Sequence, residues 1–336
     1  IFIKMGAIIW PLKNFINTLL DVAIIKTGLV ISEDYLLEIL IQNFPNSDEF
    51  KDYKNKKDYA VRIRSEEFDE YCWTVRKSLG ELDPKANPLY TRDIEKSIEW
   101  LDKGYNIMGV YSRFFELAGK MHDTKKPKVI DPTTIVETIL NEKIAPPDVI
   151  AEVLQNILHN QRMSNTIKPV EEILWDGGVE LDKLFIKEHI PLEKESFIDQ
   201  KLINYLQANP DKLEFMHWRN FERLTAEFFN RQDYIVELGP GTNDGGVDLR
   251  VYSKEDNNKP YVIIQCKRHK ATNKVKIETV KSFFTDVSFE NVKKGLIATT
   301  SSVEPGGKKV VAIRKYPLEF AENKEVIDWV NRMTKR

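Results

Sequence analysis

The sequence predicts an α/β domain at the carboxy-terminal end, with helices on both faces of a central mixed sheet, preceded by a mainly α-helical region. Three observations predict it. Apolar residues recur at helical spacing from about Asp34 to Asn160, whereas beyond about residue 210 helical stretches alternate with short β-branched runs. Charge divides the chain in the same way: residues 211–336 hold 23 Lys and Arg against 18 Asp and Glu, a net of +5, and the remainder carries −7. Between the two lies Pro191 to Asn209, strongly charged at first, then helical, and ending at Asn209-Pro210. The boundary is placed at 195/196, giving regions 1–195 and 196–336.

A length of 336 residues suggests two or three domains, and 42% hydrophobic with 30% charged residues describes a globular chain with material for a sizeable core. The 50 Lys and Arg nearly cancel 52 Asp and Glu. This excludes a polybasic tail and an acidic disordered protein but leaves room for a local basic surface. Cys72 and Cys266 cannot make a disulfide framework, and no Cys/His group has zinc spacing. A reducing cytoplasm is the expected compartment.

Ile1 to Ile31 is rich in Ile, Leu and Val, but Lys4, Lys13, Asp21 and Lys26 interrupt it. No apolar run approaches the roughly 20 residues that cross a bilayer, so the segment is expected to be core-forming helix or strand, with no membrane association. Because the chain opens on Ile, its start is expected at Met5 or upstream. Tyr35, Leu36, Ile39 and Leu40 then share a helical face, followed by Phe68, Tyr71, Cys72 and Val75, by Ile94, Ile98 and Leu101, and by Phe114, Phe115 and Leu117. Asp131 as N-cap and Pro132 open a helix through Ile135 and Ile139. Pro146-Pro147 separates it from Val149, Val153, Ile157 and Leu158. No repeat period emerges, so a solenoid is not indicated.

In the second region Phe221, Leu224, Thr225, Phe228 and Phe229 make a wide apolar helix face. Strands are expected at Tyr234–Leu238, Val247–Tyr252, Tyr261–Arg268 and Gly295–Thr300, with helices at Ile277–Val287 and Val326–Met333. The run from Gly239 to Gly246 is a turn.

The strand Tyr261–Arg268 carries a conflict between burial and polarity. It begins apolar on both faces, as a central strand does. Alternation puts Tyr261, Ile263, Gln265 and Lys267 on one face and Val262, Ile264 and Cys266 on the other. A Gln and a Lys therefore leave a core-like strand together, which is costly unless they are paired or hold a ligand. In the preceding strand Asp248 points away from Val247, Leu249 and Val251, and antiparallel pairing would bring it to Gln265 and Lys267. An acid, an amide and a Lys at one strand junction suit phosphodiester hydrolysis. Oxygen donors hold Mg²⁺, the ion activates a bound water, and a Lys counters charge building on phosphate. Glu222, beside Phe221, would add a second carboxylate where Gln265 is neutral.

The successive motifs Phe221-Glu222-x-Leu224, Asp244-Gly245-Gly246-Val247-Asp248-Leu249, Gln265-Cys266-Lys267-Arg268 and Gly295-Leu296-Ile297-Ala298-Thr299-Thr300-Ser301 resemble the Mrr-type restriction endonuclease domain, a branch of the PD-(D/E)xK nucleases. The segment Asn209 to Trp218 resembles the lead-in of its longer members. The resemblance covers about 120 residues and none of 1–195. It implies an α/β/α restriction-endonuclease-like fold and Mg²⁺-dependent DNA cleavage, with Mn²⁺ as a substitute. Asp248 would be a metal ligand together with Gln265 in the second acidic position, Glu222 from the helix and the Cys266 backbone carbonyl. Lys267 would be the catalytic lysine. The Gln is a departure from the general motif that the Mrr branch is known for. The resemblance further implies a prokaryotic defence effector acting as a dimer or higher oligomer, with 1–195 recognising a target, regulating cleavage or meeting a partner protein. The alternative is a nuclease fold that binds DNA without cutting it.

Plainer readings accompany each feature. Gln265 and Lys267 taken alone equally read as a strand end emerging into solvent, with the Lys snorkelling. Trp175-Asp176-Gly177-Gly178-Val179-Glu180-Leu181 nearly repeats the Asp244–Leu249 motif without a following QxK strand, and reads as a turn entering a short strand. Asp244 is a turn residue, and Cys266 a small core hydrophobe. Arg268, Lys270, Lys274 and Lys276 form either a phosphate-contacting edge or a solvated loop. His122, His159, His189, His217 and His269 stand singly, without ligand spacing. Phe283 and Phe284 sit at core spacing with Val280 and Val287. Thr299, Thr300 and Ser301 can contact phosphate or cap the following turn.

Overall fold

The computed structural model describes residues 7–82, 90–121, 132–161, 178–186, 196–241 and 246–334. The chain divides into two compact units that interleave in sequence, one built chiefly from residues 64–70 and 87–174, the other from 7–63, 71–86 and 175 onward.

The first unit is helical: Tyr90–Asp102, Ile107–Met121, Thr133–Glu142 and Pro147–Gln161. Val110, Phe114, Ile135, Ile139, Val149, Val153 and Ile157 meet in its core, as their spacing predicts. Three expected core positions do not. Ile98 and Leu101 lie exposed, and Trp100 takes the buried face instead. At about 100° per residue, a helix that turns Trp100 inward rotates both neighbours outward. Phe115 is exposed beside buried Phe114 for the same reason. The expected cap Asp131 lies outside the described residues, as do His122 and His189, the side chains of Ile94, Leu158 and His159, and Trp175–Gly177 of the near-repeat.

In the second unit the amino-terminal segment is a helix, Leu12–Val22, that buries Leu12, Phe15, Ile16 and Leu19. No helix among the described residues is long and apolar enough to cross a membrane. The helix Glu33–Asn43 follows, its first turn capped by Ser32, whose hydroxyl accepts from Tyr35 N. Leu36, Ile39 and Leu40 are buried, while Tyr35 reaches along the surface of the core to bond Tyr205 Oη at 2.7 Å. Val179–Glu180 pairs in parallel with Leu29–Val30, so the near-repeat does enter a short strand.

The helix Gln200–Ala208 lies deep in this unit. Lys201 through Leu206 are all buried, which leaves it almost no solvent face. Gly80 packs against it so closely that a Cβ there would stand 2.1 Å from the Asn204 carbonyl oxygen. Asn209 Nδ2 donates to Ser78 O at 2.8 Å. Residues from both sides of position 195 therefore build this unit.

The sheet region runs α1 (Trp218–Asn230), β1 (Ile235–Leu238), β2 (Leu249–Tyr252), β3 (Val262–Lys267), α2 (Ile277–Phe289), β4 (Lys294–Thr299), α3 (Pro305–Arg314), β5 (Leu318–Ala321) and α4 (Asn323–Met333). Strand order is β1-β2-β3-β4-β5. The β1–β2 and β2–β3 pairings are antiparallel and the β3–β4 and β4–β5 pairings parallel, the mixed sheet that the sequence predicts. Ile263 and Ile297 pack with Val280, Phe283 and Val287 of α2 on one face. Alternation sends Val262, Ile264 and Cys266 to the other, where α1 packs on β1–β3. Phe221, Leu224, Thr225 and Phe228 form the buried stripe of α1, and Phe228 stacks on Trp329 of α4 at 4.6 Å. Helices thus cover both faces, so the strands are buried on both sides. The strand β5 and the helix α3 are not among the predicted elements. One is four residues long, and the other opens Pro-Gly-Gly and carries weak helix formers.

Candidate functional site

The site grows from the end of the β2–β3 ladder. Leu249 faces Ile264, Arg250 faces Ile263 and Val251 faces Val262. One residue further, Asp248 N still donates to Ile264 O at 3.0 Å. The next rung is different: Cys266 N donates to the Asp248 carboxylate at 2.6 Å. A side-chain oxygen has replaced a strand carbonyl, so backbone pairing stops and the strands fork. Asp248 is only 8% exposed, and a charge-assisted bond of this kind holds a buried carboxylate in place.

Gln265 sits in the same fork, 6% exposed, and its Nε2 donates to Gly246 O at 2.9 Å. A carbonyl can only accept, and this fixes which way the amide points. The Gln265 Oε1 is then left buried without a hydrogen-bond partner among the described residues. An unmet buried acceptor costs about 1–3 kcal/mol, which is a reason to look for a ligand. Lys267 follows one pleat along the same face. It is half-buried, its carbonyl accepts from Thr299 Oγ1 at 2.7 Å, and among the described residues no ion pair engages its ammonium.

Glu222 stands on α1, buried, with Arg219 Nη1 donating to it at 2.7 Å. Arg219 Nη2 also holds Gly239 O at 2.7 Å, and His217 Nδ1 caps the first turn by accepting from Arg219 N. Asp248 and Gln265 thus each bond across the end of the β2–β3 ladder, Lys267 follows one pleat along β3, and Glu222 is held on α1 by an arginine that the motif alone did not single out. Asp248 and Glu222 both bear on the Cys266 thiol. Burial pushes this thiol far up, and the two carboxylates add to the shift. Cys266 is accordingly expected to stay unreactive toward a disulfide reagent at pH 8 until the protein is unfolded. Labelling of the native chain at Cys266 would contradict this packing.

Asp248, the Gln265 amide oxygen, the Cys266 carbonyl and Glu222 are all hard oxygen donors, the set that suits Mg²⁺ or Mn²⁺. Among the described residues, no three His, Cys, Asp or Glu side chains gather to hold a metal ion. An amide fills one of the positions an acid would take. The orphaned Gln265 oxygen is what fits a cation here.

Gly246 has φ +91°, and a Cβ there would stand 3.2 Å from Gln265 Nε2 and 3.3 Å from Asp286 Oδ2 of α2. Gly246→Ala is therefore expected to cost about 1–3 kcal/mol and to displace the Gln265 amide. Thermal unfolding would register the first effect; an unchanged melting temperature would contradict it. Burial raises the Asp286 carboxyl above its ordinary value, and Glu290 adds to the shift. Asp244 lies outside the described residues.

The basic edge separates into two parts. Arg268 is half-buried, with Nη1 donating to Glu214 O at 3.3 Å, whereas Lys270, Lys274 and Lys276 are exposed. The loop that carries them is tied down by the end of β4. His269 N donates to Thr300 Oγ1, Thr300 Oγ1 donates to His269 O, and Ser301 Oγ donates to Asn273 O. Thr299 bonds the Lys267 carbonyl in the same way, so these hydroxyls brace the loop. Burial also lowers the His269 imidazole pKa. Phe283 is core, and Phe284 stacks on Tyr316 at 3.6 Å.

Comparison with known proteins agrees with the motif order. Residues 213–330 match the Mrr_cat family model, described as a restriction endonuclease. A curated relative, the uncharacterized protein y4cE of Sinorhizobium fredii, is 23% identical over 135 residues. That match covers 40% of this chain and 34% of the relative, so the chain spans about a third of its length. Among solved structures, the MspJI restriction endonuclease in complex with a 27-mer oligonucleotide is 19% identical, with a TM-score of 0.31 over 56% of this chain and 40% of that one. The restriction endonuclease FokI bound to DNA is 13% identical, with a TM-score of 0.32 over 96% of this chain and 69% of that one.

Proposed function

We propose that residues 196–336 act as a divalent-metal-dependent endonuclease that hydrolyses DNA phosphodiester bonds, and that residues 1–195 recognise the target, regulate cleavage or meet a partner protein. The observation that carries this reading is the buried Gln265 oxygen, which has no hydrogen-bond partner among the described residues, one residue from the Cys266 N–H that holds the Asp248 carboxylate and one pleat from Lys267, whose ammonium has no ion pair among the described residues. The family match over 213–330 supports the reaction class.

In this reading Asp248, Gln265 and the Cys266 carbonyl would hold Mg²⁺ or Mn²⁺, with Glu222 as a further carboxylate. When bound, such an ion supplies a water of lowered pKa and neutralises charge on the phosphate. Lys267 orients the attacking water and meets the developing negative charge with its ammonium. Cys266 N keeps Asp248 aimed into the fork, and Gly246 O keeps the Gln265 amide from rotating. Lys270, Lys274 and Lys276 contact phosphates flanking the cut, which steers and positions the duplex without reading its sequence. Two strands require two sites, so a dimer or higher oligomer is part of the proposal, as is a prokaryotic defence role in the cytoplasm.

A second reading, DNA binding without cleavage, has its own support: Gln265 brings no charge and Arg219 holds Glu222. Supercoiled plasmid incubated with the full chain and Mg²⁺ or Mn²⁺ separates the two. Nicking that EDTA stops is the expected result. Retardation on a gel with no nicking under either ion would establish the binder.

A further inference from the structure

The space at Gly246 that the Gln265 amide borders is also bordered by a carboxylate that neither the motif nor the helix pattern singles out. Asp286 lies on α2, whose apolar stripe packs on the Ile263 side of β3. This is the face from which Gln265 also projects. The space where a side chain at position 246 would begin is bounded by Gln265 Nε2 at 3.2 Å and by Asp286 Oδ2 at 3.3 Å. Gly246, with φ +91°, leaves that space open. Asp286 is half-buried, and among the described residues no hydrogen bond or ion pair engages its carboxylate. The Gln265 amide group carries two N–H donors, and Gly246 O takes one of them.

We propose that Asp286 is a positioning residue that makes Gln265 a stronger oxygen donor through its negative charge, which borders the same space at Gly246 as the Gln265 amide nitrogen. The inference rests on the reading of Gln265 as a metal ligand. Its physical basis is the polarisability of an amide. A negative charge beside the nitrogen favours the resonance form with charge on oxygen, so Oε1 becomes more negative while the side chain stays neutral overall. Outer partners of metal ligands act in this way, holding the ligand's orientation and raising its basicity, and losing one typically lowers metal affinity about 10–100-fold. The arrangement gives a physical reason for a Gln at this position. A Glu would stand beside Asp286, and two like charges in a half-buried space oppose each other.

The test is a double-mutant cycle on the full chain, read as Mn²⁺ affinity by electron paramagnetic resonance, with melting temperatures recorded alongside. Asp286→Asn preserves shape and is expected to weaken Mn²⁺ binding about tenfold, with a melting temperature close to that of the wild type. Gln265→Glu is expected to gain little in the wild-type background, because the new carboxylate meets Asp286. In the Asp286→Asn background it is expected to restore the lost affinity. Asp286→Asn binding Mn²⁺ as the wild type does, or Gln265→Glu having the same effect in both backgrounds, would overturn the proposal and leave the nuclease reading standing. A wild-type chain that binds no Mn²⁺ would overturn both.

Discussion

Asp248→Asn and Lys267→Ala are each expected to lower DNA cleavage about a thousandfold while leaving retention of DNA on a gel largely unchanged. The expectation follows from what each side chain does in the fork. Asp248 contributes a carboxylate to the β2–β3 junction, and its replacement by an amide removes a charge that draws a cation there. Asn is the informative substitution. Its side-chain oxygen can still accept from Cys266 N, whereas Ala would leave that buried donor unmet at about 1–3 kcal/mol and confuse lost chemistry with lost stability. Lys267 makes no side-chain ion pair among the described residues, so its truncation removes an ammonium and little else. Losing a preorganised electrostatic group from a water-poor site typically lowers the rate by a factor of about 10²–10³, and losing a metal ligand adds to it. Single-turnover cleavage of a supercoiled plasmid measures both variants. If Asp248→Asn cut at the wild-type rate, the assignment of the fork would be wrong.

The largest expected effect on stability lies far from the fork, at Gly80. This residue has φ +85°, a conformation that glycine adopts freely and alanine does not. An added Cβ would also stand 2.1 Å from Asn204 O and 2.5 Å from the Asn204 carbonyl carbon, both backbone atoms that no rotamer change can move. Gly80→Ala is therefore expected to destabilise the second unit by on the order of 3 kcal/mol or more. The same geometry predicts that a chain beginning at residue 196 fails to fold stably. It would strip the helix Gln200–Ala208 of Gly80, of the Ser78 carbonyl bonded by Asn209 and of the Tyr35 hydroxyl bonded by Tyr205, exposing Leu202, Ile203 and Leu206. Circular dichroism melts of the two proteins check both expectations. A truncated chain that unfolds cooperatively at the wild-type temperature would contradict them. The proposed division of labour at 195/196 is thus one of function, while folding of the second unit draws on both sides of it.

The sheet region was legible in the sequence because its strands are short apolar runs and its helices carry clean stripes. Val262–Lys267, Lys294–Thr299 and the buried face Phe221, Leu224, Thr225 and Phe228 fall close to where periodicity puts them. Alternation along β3 put Gln265 and Lys267 on one face, but along β2 it failed at the end of the ladder: Val247 was expected on the face of Leu249 and Val251 and packs instead with Ile263 and Val280 on the α2 side, because regular pairing stops there. Contacts between distant segments left no local signal. Nothing near Leu29 announces its pairing with Val179, and nothing near Tyr35 announces Tyr205, 170 residues away. Trp100 displaced Ile98 and Leu101 from the core because periodicity gives a face and not its phase. The grip of Arg219 on Glu222 lay one helical turn apart and could have been suspected from i,i+3 spacing. Asp286 could not, because it meets Gly246 and Gln265 only after the helix α2 has docked on the sheet.

The central claim is that one divalent ion is held by Asp248 and Gln265 within reach of Lys267. Anomalous diffraction from crystals of the full chain soaked in Mn²⁺ tests it most directly. The expected result is a peak at ligand distance, about 2.1 Å for hard cations of this kind, from an Asp248 carboxylate oxygen and from Gln265 Oε1. A fork without a peak, or a peak that leaves the Gln265 oxygen uncoordinated, would contradict it.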